Sequence, residues 1–342
     1  MVTDNAGEPD ELVIVVGSDD RYAIGLAVTL HSTLSRLDRD QAVRVIVIDG
    51  GIVPSSRRRL ERVIDTTRPA TSVEWHEPEP DRFLGLPVVK WNSTATYLRL
   101  LIPEIVDNST TRVIYLDSDL LVKDDLQGLL LENQEGRTLS VGAVGDYHHR
   151  FCRTVFGEEG CLKIGIDPDS PYFNAGVLVI NVVRWREDRV AEKAVDFVHN
   201  HSDVSGLADQ DALNAVLINK WGPIDDSWNV MIASLGRYLE DRFDNPVERR
   251  VQLRDVLKHG RILHFIGARK PWLPGYIGPA GREYRQALYS SGWFDSSAER
   301  ARWTALYWVR SPVGWMREGY RRLRKRLAVT YRAMRPEPAT QR

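Results

Sequence analysis

Residues 112–122 read RVIYLDSDLLV. The run VIYL is unbroken and apolar, the pattern of a strand buried on both faces. It delivers Asp117-Ser118-Asp119 to the strand's carboxyl end. In extended chain, side chains i and i+2 point to the same face, so Asp117 and Asp119 converge. Two such carboxylates repel unless a cation lies between them, and hard oxygen ligands favour Mn²⁺ or Mg²⁺. An ion there would bridge the phosphates of a nucleotide and balance the charge of a leaving diphosphate. A bare D-x-D also describes a turn-forming pair of surface aspartates. The apolar strand before it is what separates the two readings.

Outward from this stretch the chain repeats one unit. The runs 12–17 (LVIVVG) and 43–48 (VRVIVI) predict two more buried strands, 72–75 a short one, and 140–144 a further one. Between them, 22–37 has apolar residues at helical spacing, Pro54 is placed to open a helix through Ile64, and 95–101 reads as helical. Residues 146–172 lack periodicity and read as a long loop. Then follow a strand at 173–183 (FNAGVLVINVV), a helix from about 185 to 199, another from about 209 to 219, and a last strand at 261–266 (RILHFI). Alternating strands and helices predict an α/β fold, a mostly parallel central sheet with helices on both faces. Ligands of such sheets sit at the carboxyl ends of the strands.

The 342 residues suit one large α/β domain with an appendage, and a 43 % apolar content is ample for a core. The expected division is a disordered 1–10, a catalytic domain over 11–285, and a helical, basic and aromatic region over 286–342. The formal net charge of −1 conceals an asymmetry, because residues 311–342 hold nine Lys/Arg and two Asp/Glu. Met316, Tyr320, Leu323, Leu327, Tyr331 and Met334 fall on one helical stripe among those basic residues, with Trp303, Trp308 and Trp315 before or at its start. Such a helix suits an anionic membrane surface; a helix packed on its own domain with solvated arginines outside has the same pattern. The start of the chain lacks the charge and apolar runs of a signal peptide, and no apolar run approaches the roughly 18 residues that span a bilayer. Cys152 and Cys161 are too few for a disulfide framework and have no C-x-x-C partner, so they read as free thiols. The expected location is cytoplasmic, peripheral on the inner face of the membrane.

His264 lies inside RILHFIGARKPW. A strand histidine is commonly a satisfied core residue, but imidazole also completes a Mn²⁺ site begun by carboxylates. Gly267 and Lys270, just beyond, offer a backbone amide and an ammonium to phosphate.

Six blocks, VVGSDDRYAIGL near the start, ATYLRL at 95–100, VIYLDSDLLV at 113–122, YFNAGVLVINVVRW at 172–185, ADQDALN at 208–214 and HFIGARKPW at 264–272, together resemble glycosyltransferase family 8 in order and spacing. The resemblance spans roughly 12–272 and implies a GT-A fold and a retaining, manganese-dependent hexosyltransferase using a UDP-sugar such as UDP-glucose or UDP-galactose. It implies Asp117, Asp119 and His264 as metal ligands, with Asp117 and its neighbour Ser118 also toward the donor. Asp19 and Tyr22 would hold uracil and ribose, and Lys270 and Gly267 the diphosphate. Arg99, Asn174, Ala175 and Asp209 would surround the donor sugar, and Gln210 stands where the family has the residue closest to the sugar's reactive face. Arg21 departs from the pattern, standing where a galactosyltransferase of the family has an asparagine that contacts the base. Trp91, on the acceptor side, matches nothing in it. Residues 146–172 resemble a loop that covers the acceptor, expected to be a glycan or glycolipid.

Double displacement needs a strong nucleophile on the sugar's β-face. Gln210 is a neutral amide and a poor one. Asp209 is its neighbour, but adjacent helical residues diverge by about 100°. Same-face substitution is therefore favoured, with the leaving UDP oxygen helping to deprotonate the acceptor. Activity surviving Gln210→Ala would support this, and a trapped sugar adduct on Asp209 would overturn it. Three other classes fit less well. A D-x-D phosphatase normally carries its motif near the start of its catalytic domain, with a Thr or Val in a tight loop rather than Leu120-Leu121. A non-catalytic UDP-sugar-binding, membrane-associated protein has no need of an intact metal set. A nucleotide oxidoreductase lacks G-x-G-x-x-G after LVIVVG. Nucleic-acid binding would rest on the basic tail alone and is not expected.

Overall fold

The computed structural model describes residues 11–79, 82–83, 85–87, 94–132, 139–201, 206 and 209–309. The expected disordered start at 1–10, the basic stripe beyond 310 and Trp91 lie outside them.

The first half alternates strand and helix: β1 (Leu12–Ser18), α1 (Ala23–Leu34), β2 (Val43–Asp49), α2 (Pro54–Thr67) and β3 (Ser72–His76). A 3₁₀ segment (Thr94–Leu101) leads to α3 (Ile102–Ile105), then β4 (Arg112–Leu116), β5 (Leu120–Val122), α4 (Leu126–Glu132) and β6 (Val141–Gly145). The second half runs α5 (Arg153–Ile164), β7 (Phe173–Asn181), α6 (Val182–Glu187), α7 (Val190–Asn200), α8 (Asp209–Val216), β8 (Trp221–Pro223) and β9 (Val230–Met231). It closes with α9 (Ile232–Glu240), α10 (Pro246–His259), β10 (Ile262–His264), α11 (Gly281–Ser290) and α12 (Ser297–Val309).

Seven strands form the main sheet in the order β3-β2-β1-β4-β7-β6-β8. Its pairings are parallel except where β7 lies antiparallel between β4 and β6. Alternate residues of β1 enter different cores. Ile14 and Val16 pack with α1 and α2 on one face, whereas Val13 and Val15 pack with the 3₁₀ segment, α7 and α8 on the other. The predicted α/β fold with helices on both faces is thus borne out.

Three local readings change. The apparent loop 146–172 contains α5, whose helical period is broken at Gly157, a glycine with φ of 72° that a side chain would strain. The single helix expected over 185–199 is two. Strand β7 ends at Asn181, whose side chain caps α6 at the Arg184 amide, and Arg189, at φ 53°, separates α6 from α7. The last predicted strand, β10, does not join the main sheet; it pairs antiparallel with β5 and parallel with β9 in a separate three-stranded sheet. That small sheet decides the site.

Candidate active site

The acidic tripeptide fills the short gap between β4 and β5, and His264 ends β10. The antiparallel register sets His264 opposite Leu120, and the Phe265 amide donates to the Asp119 carbonyl at 3.0 Å. Two short strands thus hold together residues far apart in the chain. The His264 Nε2 lies 3.1 Å from Asp119 Oδ1 and 3.7 Å from Asp117 Oδ2. Ligand atoms of Asp117, Asp119 and His264 all fall within 4.8 Å of one another.

The surroundings orient each atom. His264 Nδ1 is 2.9 Å from Asn229 Oδ1, which leaves Nε2 toward the carboxylates. Asn229 is fully buried and donates in turn to Asn174 Oδ1 at 2.9 Å. Asp117 Oδ1 accepts from Arg99 and from the Tyr115 hydroxyl, each at 2.9 Å, so Oδ2 is the oxygen turned to His264. Two carboxylates and an oriented imidazole are a donor set suited to a hard or borderline divalent cation. Space is reserved for it to close. A Cβ on Gly176 would come within 2.2 Å of His264 Cε1 and 2.9 Å of Asp117 Oδ2. Only a residue without a side chain lets the imidazole and the carboxylate approach here.

Charges are paired across the floor of the site. Arg99, buried against the face of Tyr115, binds Asp117 and, at 2.9 Å, Asp209, and also donates to the Ala175 carbonyl. Burial opposes its charge, but the two carboxylates outweigh that and raise its pKa. Asp209 also accepts from the Thr96 hydroxyl. Burial nevertheless pushes its pKa up to about 6, against Arg99 and Thr96. Burial would likewise raise Asp119, but Lys270 and His264 prevail and hold it well below the usual carboxylate range.

The remaining expected residues except Ala175, which is buried behind Gln210, border the same cleft, about 360 Å³ in volume, within the range of small-ligand sites. Asp19 and Tyr22 follow β1, with Tyr22 edge-on to Trp272 at 5.6 Å. Arg21 grips Asp19 Oδ2 at 3.0 Å. Gly267 and Lys270 line the cleft on the Tyr22 side, where the Lys270 ammonium lies 5.3 Å from the Tyr22 ring centre and contacts Asp119 Oδ2 and the Phe265 carbonyl. The Gln210 carbonyl accepts from the Ala175 amide at 3.0 Å and from Asn174 Nδ2 at 3.1 Å, while its Nε2 faces the Tyr172 hydroxyl at 3.2 Å. The Ser118 side chain is spent elsewhere: its hydroxyl donates to the Gly17 carbonyl at 2.8 Å and ties the tripeptide to β1.

Residues 13–274 match the model of the family described as Glycosyl transferase family 8. The chain belongs to glycosyl transferase family 8. General stress protein A of Bacillus subtilis is 30 % identical over 289 residues, which cover 83 % of this chain and 96 % of that protein. Lipopolysaccharide 1,3-galactosyltransferase of Salmonella typhimurium is 28 % identical, over 84 % of this chain and 80 % of its own. A crystal structure of a galactosyltransferase in complex with donor and acceptor sugar analogues superposes with a TM-score of 0.67 at 26 % identity, covering 85 % of this chain and 99 % of the other. With this family membership and these relatives, the chain is a hexosyltransferase. Among the described residues no helix of this family 8 enzyme is long and apolar enough to cross a membrane.

The sequence left unmarked several residues that line the cleft or support it from behind. Asn229 and Gly176 act through His264, and nothing in the local pattern of either marks it. Asp146, His148 and His149 stand just after β6, at a strand's carboxyl end, which is the signal that could have found them. Asp146 Oδ1 accepts from the amides of both histidines, at 2.8 and 2.9 Å. Ser234, on α9, completes that side.

Proposed function

We propose that the enzyme transfers glucose or galactose from a UDP-sugar to a glycan or glycolipid acceptor, with retention of configuration and in dependence on Mn²⁺ or Mg²⁺. The observation that carries this reading is the convergence of Asp117, Asp119 and His264 within 4.8 Å at the carboxyl edge of the sheet. These residues would hold the ion, which when bound would balance the charge of the diphosphate and of the leaving UDP.

The chain's own residues do the rest. Asp19 and Tyr22 take the uridine, and Gly267 and Lys270 the diphosphate. Ser118 acts through its backbone, its hydroxyl being committed to Gly17. Arg99 and Asp209, neutralising one another, offer the sugar hydroxyls a rigid polar floor with Asn174 and Ala175. Gln210 is a weak nucleophile twice over. It is a neutral amide, and its oxygen already accepts two hydrogen bonds. In the favoured same-face step, the anomeric C–O bond to UDP breaks as the acceptor oxygen bonds to that carbon from the same side. The acceptor's proton passes to the leaving phosphate oxygen. The catalytic unit runs from 11 past the expected boundary at 285 to include α11, whose Leu288 packs in the main core with Tyr284. The basic, aromatic region that follows would bring the enzyme to an anionic membrane face.

A donor panel tests this. UDP-glucose, UDP-galactose and sugars on other nucleotides are offered with and without a chelator, and UDP release is measured. Turnover of a UDP-hexose that stops on chelation and returns with Mn²⁺ supports the reading. Undiminished turnover in chelator, or hydrolysis of a simple aryl phosphate without UDP binding, refutes it.

A further inference from the structure

We infer that Lys270 is a resident counter-cation for the acidic pair, and that its displacement couples binding of the metal to binding of the nucleotide. The inference rests on the metal reading above. The Lys270 ammonium sits on Asp119 Oδ2 and donates to the Phe265 carbonyl at 2.9 Å. Lysine and aspartate are both almost fully buried, each side chain 8 % exposed. Asp119 turns its other oxygen to His264 Nε2 at 3.1 Å. The ammonium therefore stands beside the position that Asp117, Asp119 and His264 define, and part of the charge a divalent ion would meet is already neutralised.

An arriving divalent ion would face a like charge at close range in a largely dehydrated site, where repulsion is poorly screened. It binds well only if the ammonium leaves Asp119, and a buried ammonium leaves only for another acceptor. The aromatic wall of Tyr22, its ring centre 5.3 Å from Lys270 Nζ, borders one route into the cleft. A diphosphate entering beside Tyr22 supplies such an acceptor, and a doubly charged one. Metal and nucleotide therefore favour one another: each removes the partner that the other's site would otherwise have to give up. The free enzyme keeps its carboxylates neutralised without holding a metal tightly.

Mn²⁺ titrations of the full chain followed by electron paramagnetic resonance, with and without UDP, test this. The wild type is expected to bind Mn²⁺ weakly alone and at least about fivefold more tightly with UDP. Lys270→Met is expected to bind Mn²⁺ alone at least about fivefold more tightly than wild type and to gain less from UDP than wild type does, keeping only the part that direct ligation by the diphosphate supplies. Lys270→Arg, which keeps the charge, should behave like wild type. A Met variant with the native circular dichroism spectrum but no tighter affinity for Mn²⁺ alone overturns the inference. A second measurement needs no variant. In wild-type crystals soaked with Mn²⁺ and no UDP, an ammonium that stays on Asp119 beside a fully bound ion overturns it, and one that has left Asp119 supports it. Failure of Mn²⁺ to bind wild type even with UDP strikes down the metal reading as well. Binding with UDP but no effect of Lys270→Met strikes down only the role of Lys270.

Discussion

Replacing Gly176 by alanine adds one methyl group at the closest point of the site. An ideal Cβ there stands 2.2 Å from His264 Cε1, 2.8 Å from its Nδ1 and 2.9 Å from Asp117 Oδ2. Ordinary contact begins at 3.4 Å, so the imidazole must withdraw by roughly 1.2 Å. It has little room, because His264 is 2 % exposed and its partner Asn229 is fully buried. Overpacking of this kind costs about 1–3 kcal/mol of stability. The larger effect falls on function. Disturbing the orientation of a metal-bound imidazole commonly costs 10–100-fold in metal affinity, and a misplacement of about 1 Å can cost about 10²-fold in rate. Gly176→Ala is therefore expected to fold, to bind Mn²⁺ in the presence of UDP some 10–100-fold more weakly, and to lose about two orders of magnitude in kcat/KM. Resonance titration and initial rates of UDP release measure both. A variant with unchanged metal affinity and unchanged rate would refute the argument that this glycine exists to let the imidazole and the carboxylate meet.

Other outcomes follow from the same geometry. Arg99→Ala leaves Asp117 and Asp209 without their buried partner and should lower stability by about 3–5 kcal/mol in urea unfolding; a change within error would deny Arg99 its place in the floor. For Asp209, the folded-state pKa of about 6 exceeds the ~3.9 of an unfolded aspartate, so its stabilising contribution is present below about pH 4 and is lost as pH rises through 6. Transfer runs the opposite way, falling below about pH 6 as the carboxylate holding Arg99 is protonated. Asp209→Asn should flatten the melting temperature across that window, and an unaltered slope would exclude Asp209 as its source. Gln210→Ala leaves the Ala175 amide and Asn174 short of an acceptor, so turnover should drop by the roughly 1–3 kcal/mol of a lost buried hydrogen bond yet persist. A sugar adduct on Gln210 or Asp209 in intact-protein mass spectrometry would instead establish double displacement. Removing the chain beyond residue 309, after α12, should abolish binding to anionic lipid vesicles while Mn²⁺-dependent UDP binding remains; undiminished vesicle binding would remove the membrane role.

The sequence disclosed what repeats and what is continuous. LVIVVG, VRVIVI and RVIYL are legible because strands buried on both faces are unbroken apolar runs, and their ends locate Asp19, Asp117 and Asp119. The antiparallel course of β7 was not legible, since its nine residues are as apolar as those of a parallel strand. Helix α5 was hidden by Gly157, which shifts the phase of its apolar residues midway. His264 was visible only as a histidine in a strand. Which strand it would meet depends on β5 and β10, three residues each, too short to carry a periodicity. Asn229 and Gly176 were silent because their value lies in what they touch, and no spacing along the chain encodes that contact.

The central claim is that a single divalent ion is shared by Asp117, Asp119 and His264. The most direct measurement is an anomalous difference map at the manganese absorption edge, from crystals grown with Mn²⁺ and UDP. One strong peak bonded to all three side chains and to the diphosphate is the expected result. No peak there, or a manganese ion bound to the diphosphate but out of reach of His264, would contradict the account.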